Sequence, residues 1–189
     1  IYLDIPREEL EAKYATGSSQ FLNLMDGTRI HFRDEGKLEN PVIVLLHGFN
    51  GSLFNFERLV PLLVDDFRLI SIDLPGFGLT GATPSSDYTT EGFMDAVTKL
   101  TKELGIEEFS IAGNSMGGGV AWRYALEYPK KVEALILLAS SAVGTKEDVK
   151  RFEERESNVP IVWKLMGFDV LKKFLNYFTP KFFATEALK

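Results

Sequence analysis

The sequence contains no cysteine and only two histidines, His31 and His47. Without cysteine there is no disulfide framework, no thiolate nucleophile and no thiolate-held metal site. Basic residues are also scarce, because 21 Lys and Arg face 27 Asp and Glu and give a formal net charge of -6. Nucleic-acid binding needs a clustered basic excess, so we exclude nucleic acid as a partner.

Long hydrophobic runs are missing as well, since no stretch approaches the roughly 18 to 20 uncharged apolar residues of a transmembrane helix. No signal peptide opens the chain, which starts at Ile1 instead of Met. We expect a processed or trimmed start and leave the location open between the cytoplasm and a membrane-anchored or periplasmic parent. A chain of 189 residues with 45% hydrophobic content predicts one domain with one main core.

A β-hairpin is predicted near the start of the chain. Residues 21–25 and 28–33 read as its two strands, and Asp26-Gly27 is expected to supply the positive backbone dihedrals of a tight turn. In the second strand, His31 alternates with apolar residues and stands between two arginines. That alternation indicates a solvated strand face, so we predict a surface role without chemistry for His31.

The rest of the chain alternates between strand and helix patterns. Continuous apolar runs predict buried strands, and apolar residues also recur at helical spacing between Phe54 and Leu63. Such an array predicts an α/β fold, a mostly parallel sheet with helices on both faces, whose function lies at the carboxyl ends of the strands. The predicted strands are 42–46, 67–74, 109–112 and 132–139, and the predicted helices are 89–104 and 116–128.

The segment from Gly113 to Gly117, Gly-Asn-Ser-Met-Gly, lies between a predicted strand and a predicted helix. This is the context of a G-x-S-x-G nucleophile elbow, which predicts Ser115 as the nucleophile. The turn is so sharp that side chains at positions 113 and 117 would collide with the neighbouring backbone, so both positions require glycine. An ordinary glycine-rich turn or a phosphate cradle is the alternative, but residues 113–119 match neither G-x-G-x-x-G nor Gly-Lys-Ser/Thr in any register.

Together with two further motifs, this elbow resembles the α/β-hydrolase family over all the residues present, and most closely its bacterial carboxylesterase-like members. Similar proteins carry His-Gly-x after the third strand and Asp-x-Pro-Gly-x-Gly after the fourth. These motifs are matched here by His47-Gly48-Phe49 and by the segment 73–78. The resemblance implies an α/β-hydrolase fold that needs no cofactor and no metal.

The resemblance also assigns roles to individual residues. The backbone N–H groups of Phe49 and Met116 are implied as oxyanion donors, and losing one such donor typically costs about 2.7 to 4 kcal/mol of transition-state stabilisation. His47 and Gly48 are implied to support the oxyanion loop. Asp73 is interpreted as a structural residue that opens the Pro-Gly turn.

The general base and the acid of the expected catalytic triad are missing. Similar proteins carry the acid after the sixth or seventh strand and the histidine after the eighth, but no histidine follows Ser115. We therefore expect an N-terminal part whose sheet is truncated after about the sixth strand. Residues 1–144 would be the core and residues 145–189 the start of a helical cap. The expected partner is the missing C-terminal half of the same protein.

The predicted activity of the parent protein is hydrolysis of small-molecule carboxylic esters through an acyl-enzyme on Ser115. Carbon-carbon bond hydrolases, lactonases and perhydrolases of the same fold are alternatives, because the elbow sets the chemistry and not the substrate. A non-catalytic binding protein or fragment is the alternative from another class. A serine at this position argues against epoxide hydrolases and dehalogenases. An apolar helical stripe opposite Lys172 and Lys173 leaves a membrane contact as a weaker hypothesis.

Overall fold

The computed structural model describes residues 5–141. In this range it contains six strands, four α-helices and one 3₁₀-helix: α1 Arg7–Tyr14, β1 Ser19–Asn23, β2 Arg29–Glu35, β3 Val42–Leu46, the 3₁₀-helix Leu53–Phe56, α2 Val60–Leu63, β4 Arg68–Ile72, α3 Thr90–Glu103, β5 Phe109–Asn114, α4 Met116–Glu127 and β6 Val132–Leu138. The predicted domain boundary at residue 144, the helical cap and the stripe around Lys172 and Lys173 lie outside the described residues.

The six strands form one mixed sheet in the order β1-β2-β4-β3-β5-β6. The first two pairings, β1 with β2 and β2 with β4, are antiparallel. The pairings from β4 through β3 and β5 to β6 are parallel. The predicted mostly parallel α/β sheet is therefore confirmed.

The predicted hairpin is present, and its turn differs in one detail. The N–H of Leu24 donates to the carbonyl of Thr28 at 2.8 Å, and the N–H of Gly27 donates to the carbonyl of Leu24 at 3.0 Å. Only Gly27 has a positive φ, of 84°, and Asp26 does not. This is a three-residue loop in which one left-handed residue follows an ordinary turn, so Asp26 needs no positive dihedral. Its carboxylate instead accepts the N–H of Thr28 at 2.9 Å.

Helices cover both faces of the sheet. On one face, α3 and α4 pack against the strands, with Val97, Leu100 and Tyr124 almost completely buried. On the other face, Phe56 of the 3₁₀-helix and Val60 of α2 cover a smaller cluster. The strands β3 and β4 are buried between these two layers, which explains why they read as continuous apolar runs.

The helical spacing between Phe54 and Leu63 corresponds to two short helices instead of one. Pro61 lies in the first turn of α2, and a proline there cannot continue a helix from the preceding residues because it lacks an N–H and crowds the carbonyl four residues earlier. Leu62 in α2 is 76% exposed. Among the helices of the described range, none is long and apolar enough to cross a membrane.

Within residues 5–141, β6 is an edge strand with apolar side chains. Leu135, Ile136 and Leu138 are 39 to 40% exposed, whereas the core side chains of β3 and β4 are almost fully buried. Strand β1 at the opposite edge has the mixed sequence SQFLN. The two edges of the described sheet therefore differ in polarity.

Candidate active site

Ser115 forms the turn between β5 and α4 by itself. Its φ of 51° and ψ of -114° lie in a region that non-glycine residues rarely adopt, at a typical cost of about 1 to 3 kcal/mol. Three backbone hydrogen bonds hold this conformation. The N–H of Ser115 donates to the carbonyl of Leu138 at 3.0 Å, and its carbonyl accepts from Gly119 at 3.1 Å and from Ser141 at 2.9 Å. The side chain of Ser115 is exposed.

The two glycines that flank this turn lie where side chains would collide. A Cβ at Gly117 would overlap the backbone carbonyl oxygens of Leu46 and His47 at the end of β3. A Cβ at Gly113 would overlap the backbone of Gly117 itself. The geometry therefore fits the steric reason for which these two glycines were predicted, since α4 can begin this close to β3 only without side chains there.

The loop after β3 lies directly against the Ser115 turn. A Cβ at Gly48 would be 3.1 Å from the Cβ of Ser115 and 3.1 Å from Oδ1 of Asn114. Among residues 5–141, the backbone N–H groups of Phe49 and Met116 donate no hydrogen bond. Met116 is the first residue of α4, where such N–H groups have no acceptor inside the helix. Two donors thus remain available beside the serine, and their use for an oxyanion stays a prediction.

His47 is fully buried and uses both ring nitrogens to hold this loop. Its Nδ1 lies 2.8 Å from the carbonyl oxygen of Gly48, and its Nε2 accepts the N–H of Leu74 at 3.1 Å. Because a backbone N–H can only donate, the network assigns the proton to Nδ1. Burial lowers the pKa of His47, while the hydrogen bond to Gly48 and the charge of Asp73 oppose that shift. A neutral imidazole with both nitrogens engaged supports the loop and cannot act as a base.

Aromatic rings continue from His47 towards the exposed end of the loop. Phe77 lies 5.4 Å from the ring of His47 and 5.8 Å from the ring of Phe49, in edge-to-face contact with both. Phe49 itself is 77% exposed. Phe77 was not predicted as a functional residue, although its position inside the second motif, after Pro75-Gly76, was a signal for it.

The prediction of a surface role for His31 is wrong. His31 is completely buried, with Nδ1 2.7 Å from Oδ2 of Asp73 and Nε2 2.9 Å from Oγ of Ser19. The physical reason is strand order: β2 lies between β1 and β4, so neither of its edges is open, and other elements cover its faces. Alternation along a strand shows which residues share a face but not whether that face meets solvent.

Asp73 is a buried acceptor at the end of β4. Its carboxylate accepts the backbone N–H of Leu53 at 2.7 Å and that of Leu79 at 2.8 Å, in addition to its contact with His31. Its carbonyl oxygen accepts the hydroxyl of Thr80 at 2.7 Å. These bonds join β2, the 3₁₀-helix and the turn after β4, which agrees with the structural interpretation of Asp73.

The Ser19-His31-Asp73 array is remote from Ser115. Strand β2 is three strands away from β5, and at about 4.8 Å per strand this separation is roughly 14 Å. His31 therefore cannot take a proton from Ser115. Since His47 is engaged elsewhere and the sequence has no third histidine, residues 5–141 supply no imidazole base to Ser115.

The fold and this turn define a class of protein, and comparison with known proteins agrees. A family model described as "alpha/beta hydrolase fold" matches residues 41–176. The chain belongs to the α/β-hydrolase family.

Similar proteins carry out different reactions on this fold. Lipase 1 of Psychrobacter immobilis is 30% identical over 162 residues, which cover 84% of this chain and 51% of the lipase. Bifunctional epoxide hydrolase 2 of Sus scrofa is 28% identical and aligns with 75% of this chain and 25% of that protein. A structure from work on carboxylesterases of Nitrososphaera gargenis has a TM-score of 0.63 and 28% identity, covering 72% of this chain and 52% of that one. The chain spans about half or less of the length of these relatives.

Proposed function

We propose that the protein to which these residues belong is a serine hydrolase that cleaves carboxylic esters, with Ser115 as its nucleophile. The observation that carries the proposal is the strained, exposed Ser115 turn facing the Gly48 loop, with two backbone N–H groups beside it that have no acceptor in the described residues. A hydroxyl raised on such a turn can approach a substrate carbonyl, and the two N–H groups are suited to the negative charge that develops on its oxygen.

In the proposed reaction, Oγ of Ser115 attacks the ester carbonyl carbon and its proton passes to a general base. The N–H groups of Phe49 and Met116 bind the oxyanion of the tetrahedral intermediate. The alcohol then leaves with a proton from that base, and water releases the acid from the acyl-enzyme. We propose that the imidazole and its acid come from the C-terminal half of the same protein, since the matched residues cover only 51% of the lipase and 52% of the carboxylesterase-related structure.

The aromatic rings of Phe49 and Phe77 support an ester with an apolar acyl group. They extend from the buried His47 to the surface beside the proposed oxyanion site, so an acyl chain placed there would contact rings instead of charges. The names of the lipase and carboxylesterase relatives agree with such a substrate. We propose an ester of small or medium acyl size, and the acyl-length series below tests that size.

Other reactions of this fold use the same elbow. A carbon-carbon bond hydrolase, a lactonase or a perhydrolase would also use Ser115. The similarity to an epoxide hydrolase does not favour epoxides here, because that reaction on this fold needs an aspartate where this chain has Ser115. A non-catalytic binding protein is the alternative from a different class and predicts a serine that does not react.

The test is the intact mass of the protein before and after exposure to a fluorophosphonate, made on the full-length gene product. We expect one adduct in the wild type, none in Ser115→Ala, and one in the matched control Ser19→Ala. Hydrolysis of p-nitrophenyl esters of increasing acyl length, beside a lactone and a β-diketone, then distinguishes the reactions. Absence of an adduct in a full-length chain that contains a further histidine would contradict the serine-hydrolase proposal, and selective turnover of the lactone or diketone would contradict ester hydrolysis.

A further inference from the structure

The first turn of α4 contains three consecutive glycines, Gly117, Gly118 and Gly119. Glycine is the poorest helix former after proline, so a run of three at the start of a helix needs a separate reason. The close approach of β3 explains Gly117 alone. A Cβ at Gly118 would lie 2.6 Å from Oγ of Ser140. A Cβ at Gly119 would lie 2.5 Å from Oγ of Ser141, so the glycine run leaves room for two serines that follow β6.

Ser141 uses this room to bond the nucleophile turn directly. Its N–H donates to the carbonyl oxygen of Ser115 at 2.9 Å, and its hydroxyl donates to the same oxygen at 3.1 Å. The N–H of Gly119 is the third donor to that oxygen, at 3.1 Å, and it alone belongs to the helix. Two of the three donors therefore come from a residue that lies 26 positions further along the chain.

The end of β6 also holds the amino side of the same turn. The carbonyl oxygen of Leu138 accepts the N–H of Ser115 and Nδ2 of Asn114, each at 3.0 Å. Both backbone polar groups of Ser115 are therefore bonded to residues 138–141. Ser115 has a φ of 51°, which a non-glycine residue keeps only where its surroundings restrain it. Residues 138–141 contribute that restraint from outside the elbow motif.

We propose that Ser141 is a positioning residue for the nucleophile, a role that rests on the proposed function of Ser115. Its hydroxyl restrains the carbonyl of Ser115 and thereby keeps Oγ of that serine turned towards the N–H groups of Phe49 and Met116. Without this hydroxyl, the carbonyl of Ser115 still has two N–H donors. Ser141 is also exposed, so water can replace the lost contact. Loss of the hydroxyl should therefore change the orientation of Ser115 more than the free energy of unfolding.

The test compares variants of the full-length gene product by the rate of fluorophosphonate labelling and by hydrolysis of p-nitrophenyl acetate. We expect Ser141→Ala to lower the labelling rate and kcat about five-fold, the loss of one hydrogen bond, with KM unchanged. Ser141→Thr retains a hydroxyl and should restore both rates. The matched control is Ser140→Ala, because the hydroxyl of Ser140 donates to the carbonyl of Ser141 and not to Ser115. This control should react at the wild-type rate.

A second variant changes the same contact from the helix. Gly119→Ala places a methyl group where it displaces the Ser141 hydroxyl, while alanine favours a helix more than glycine does. We expect slower labelling without a loss of stability in urea denaturation. A weaker helix could not explain that result. Adding Gly119→Ala to Ser141→Ala should slow labelling no further, because the contact is already lost.

The outcomes distinguish this inference from the proposed function. If the wild type forms an adduct and Ser141→Ala forms it at the same rate, the role of Ser141 is overturned and the assignment of the nucleophile stands. Equal slowing in Ser140→Ala, or no recovery in Ser141→Thr, would also overturn the role of Ser141. If the full-length wild type forms no adduct, the proposed function and this inference are both overturned.

Discussion

Two serines of this molecule each have one half of what a serine nucleophile requires. Ser19 contacts an imidazole and, through it, a carboxylate, in the order Ser19-His31-Asp73. Ser115 contacts no imidazole in residues 5–141, but it lies on a strained turn, is exposed, and adjoins two N–H groups without acceptors. The hydrogen-bond pattern of a triad therefore occurs in this molecule away from Ser115, the serine that we propose as the nucleophile.

The difference lies in the backbone that carries each serine. Ser19 opens an edge strand, is half-buried, and its Oγ already accepts the N–H of Thr16 at 3.0 Å. Its hydroxyl thus satisfies two neighbours and joins β1 to β2. The turn at Ser115 instead holds its side chain outward at the start of a helix. An imidazole and a carboxylate alone do not define a reactive serine, because the backbone must also present the hydroxyl and stabilise the oxyanion.

The largest expected effect tests whether the Ser19 array is structural. Asp73→Ala removes the acceptor for two buried N–H groups and for His31, and we expect the free energy of unfolding to fall by about 3 kcal/mol or more. Urea denaturation measures this change. The matched control is Asp66→Ala, at an exposed position without an ion pair to the described residues, and it should remain near the wild type. Equal stability of the two variants would contradict a structural array.

The next effect concerns the turn at Ser115. Gly117→Ala places a methyl group against the carbonyl oxygens of Leu46 and His47, and we expect it to cost about 1 to 3 kcal/mol of stability and to slow fluorophosphonate labelling of Ser115. Gly17→Ala is the matched control, because its Cβ would meet nothing within 4 Å. Thermal unfolding and labelling rates measure both properties. Labelling of Gly117→Ala at the wild-type rate would show that the close approach is not needed for reactivity.

A smaller expected effect distinguishes the structural role of Ser19 from the proposed reactivity of Ser115. Ser19→Ala removes the hydroxyl that contacts His31 and Thr16, and we expect a loss of about 1 kcal/mol of stability with no change in the labelling rate of Ser115. Chemical denaturation and peptide mapping of the adduct measure the two quantities. If the adduct maps to Ser19, or disappears in Ser19→Ala, the assignment of the nucleophile is reversed.

The smallest effect that we expect is the contribution of His47 to the pH dependence of stability. Burial lowers the pKa of this imidazole below its ordinary value of 6.5, so the unfolded chain binds the proton more readily. The contribution of His47 to stability is therefore complete above pH 6.5 and is lost as the pH falls through the lowered pKa. We expect stability measured between pH 7.5 and about pH 5 to fall less steeply in His47→Gln than in the wild type. If stability fell equally with pH in the wild type and in His47→Gln, the expected contribution of His47 would be contradicted.

Much of the fold could be predicted because its signals are local. The strands β3 and β4 read as continuous apolar runs, and Pro129 and Gly105 limit the helices that precede them. The glycines around Ser115 are also a local signal, since the sharp turn excludes side chains within a few residues. The six strands and the helices α3 and α4 accordingly lie within about two residues of their predicted bounds, whereas α1 was not predicted.

The environment of His31 could not be predicted in this way. Its contacts with Asp73 and Ser19 cross 42 and 12 residues of sequence and depend on β2 pairing with both β1 and β4. The same strand order buries Arg33 opposite Ser71. Alternating polar and apolar residues predict that this segment is a strand. The alternation does not show which strands lie beside it.

Local patterns were sufficient to predict the α/β array, the turn at Ser115 and the need for glycine at positions 113 and 117, because sterics and hydrophobic periodicity act over a few residues. Local patterns could not show that His31 and Arg33 are buried, that both ring nitrogens of His47 are engaged, or that Gly48 lies against Ser115. Those properties arise from contacts between segments far apart in the chain, where burial and hydrogen-bond partners depend on the order and register of the strands.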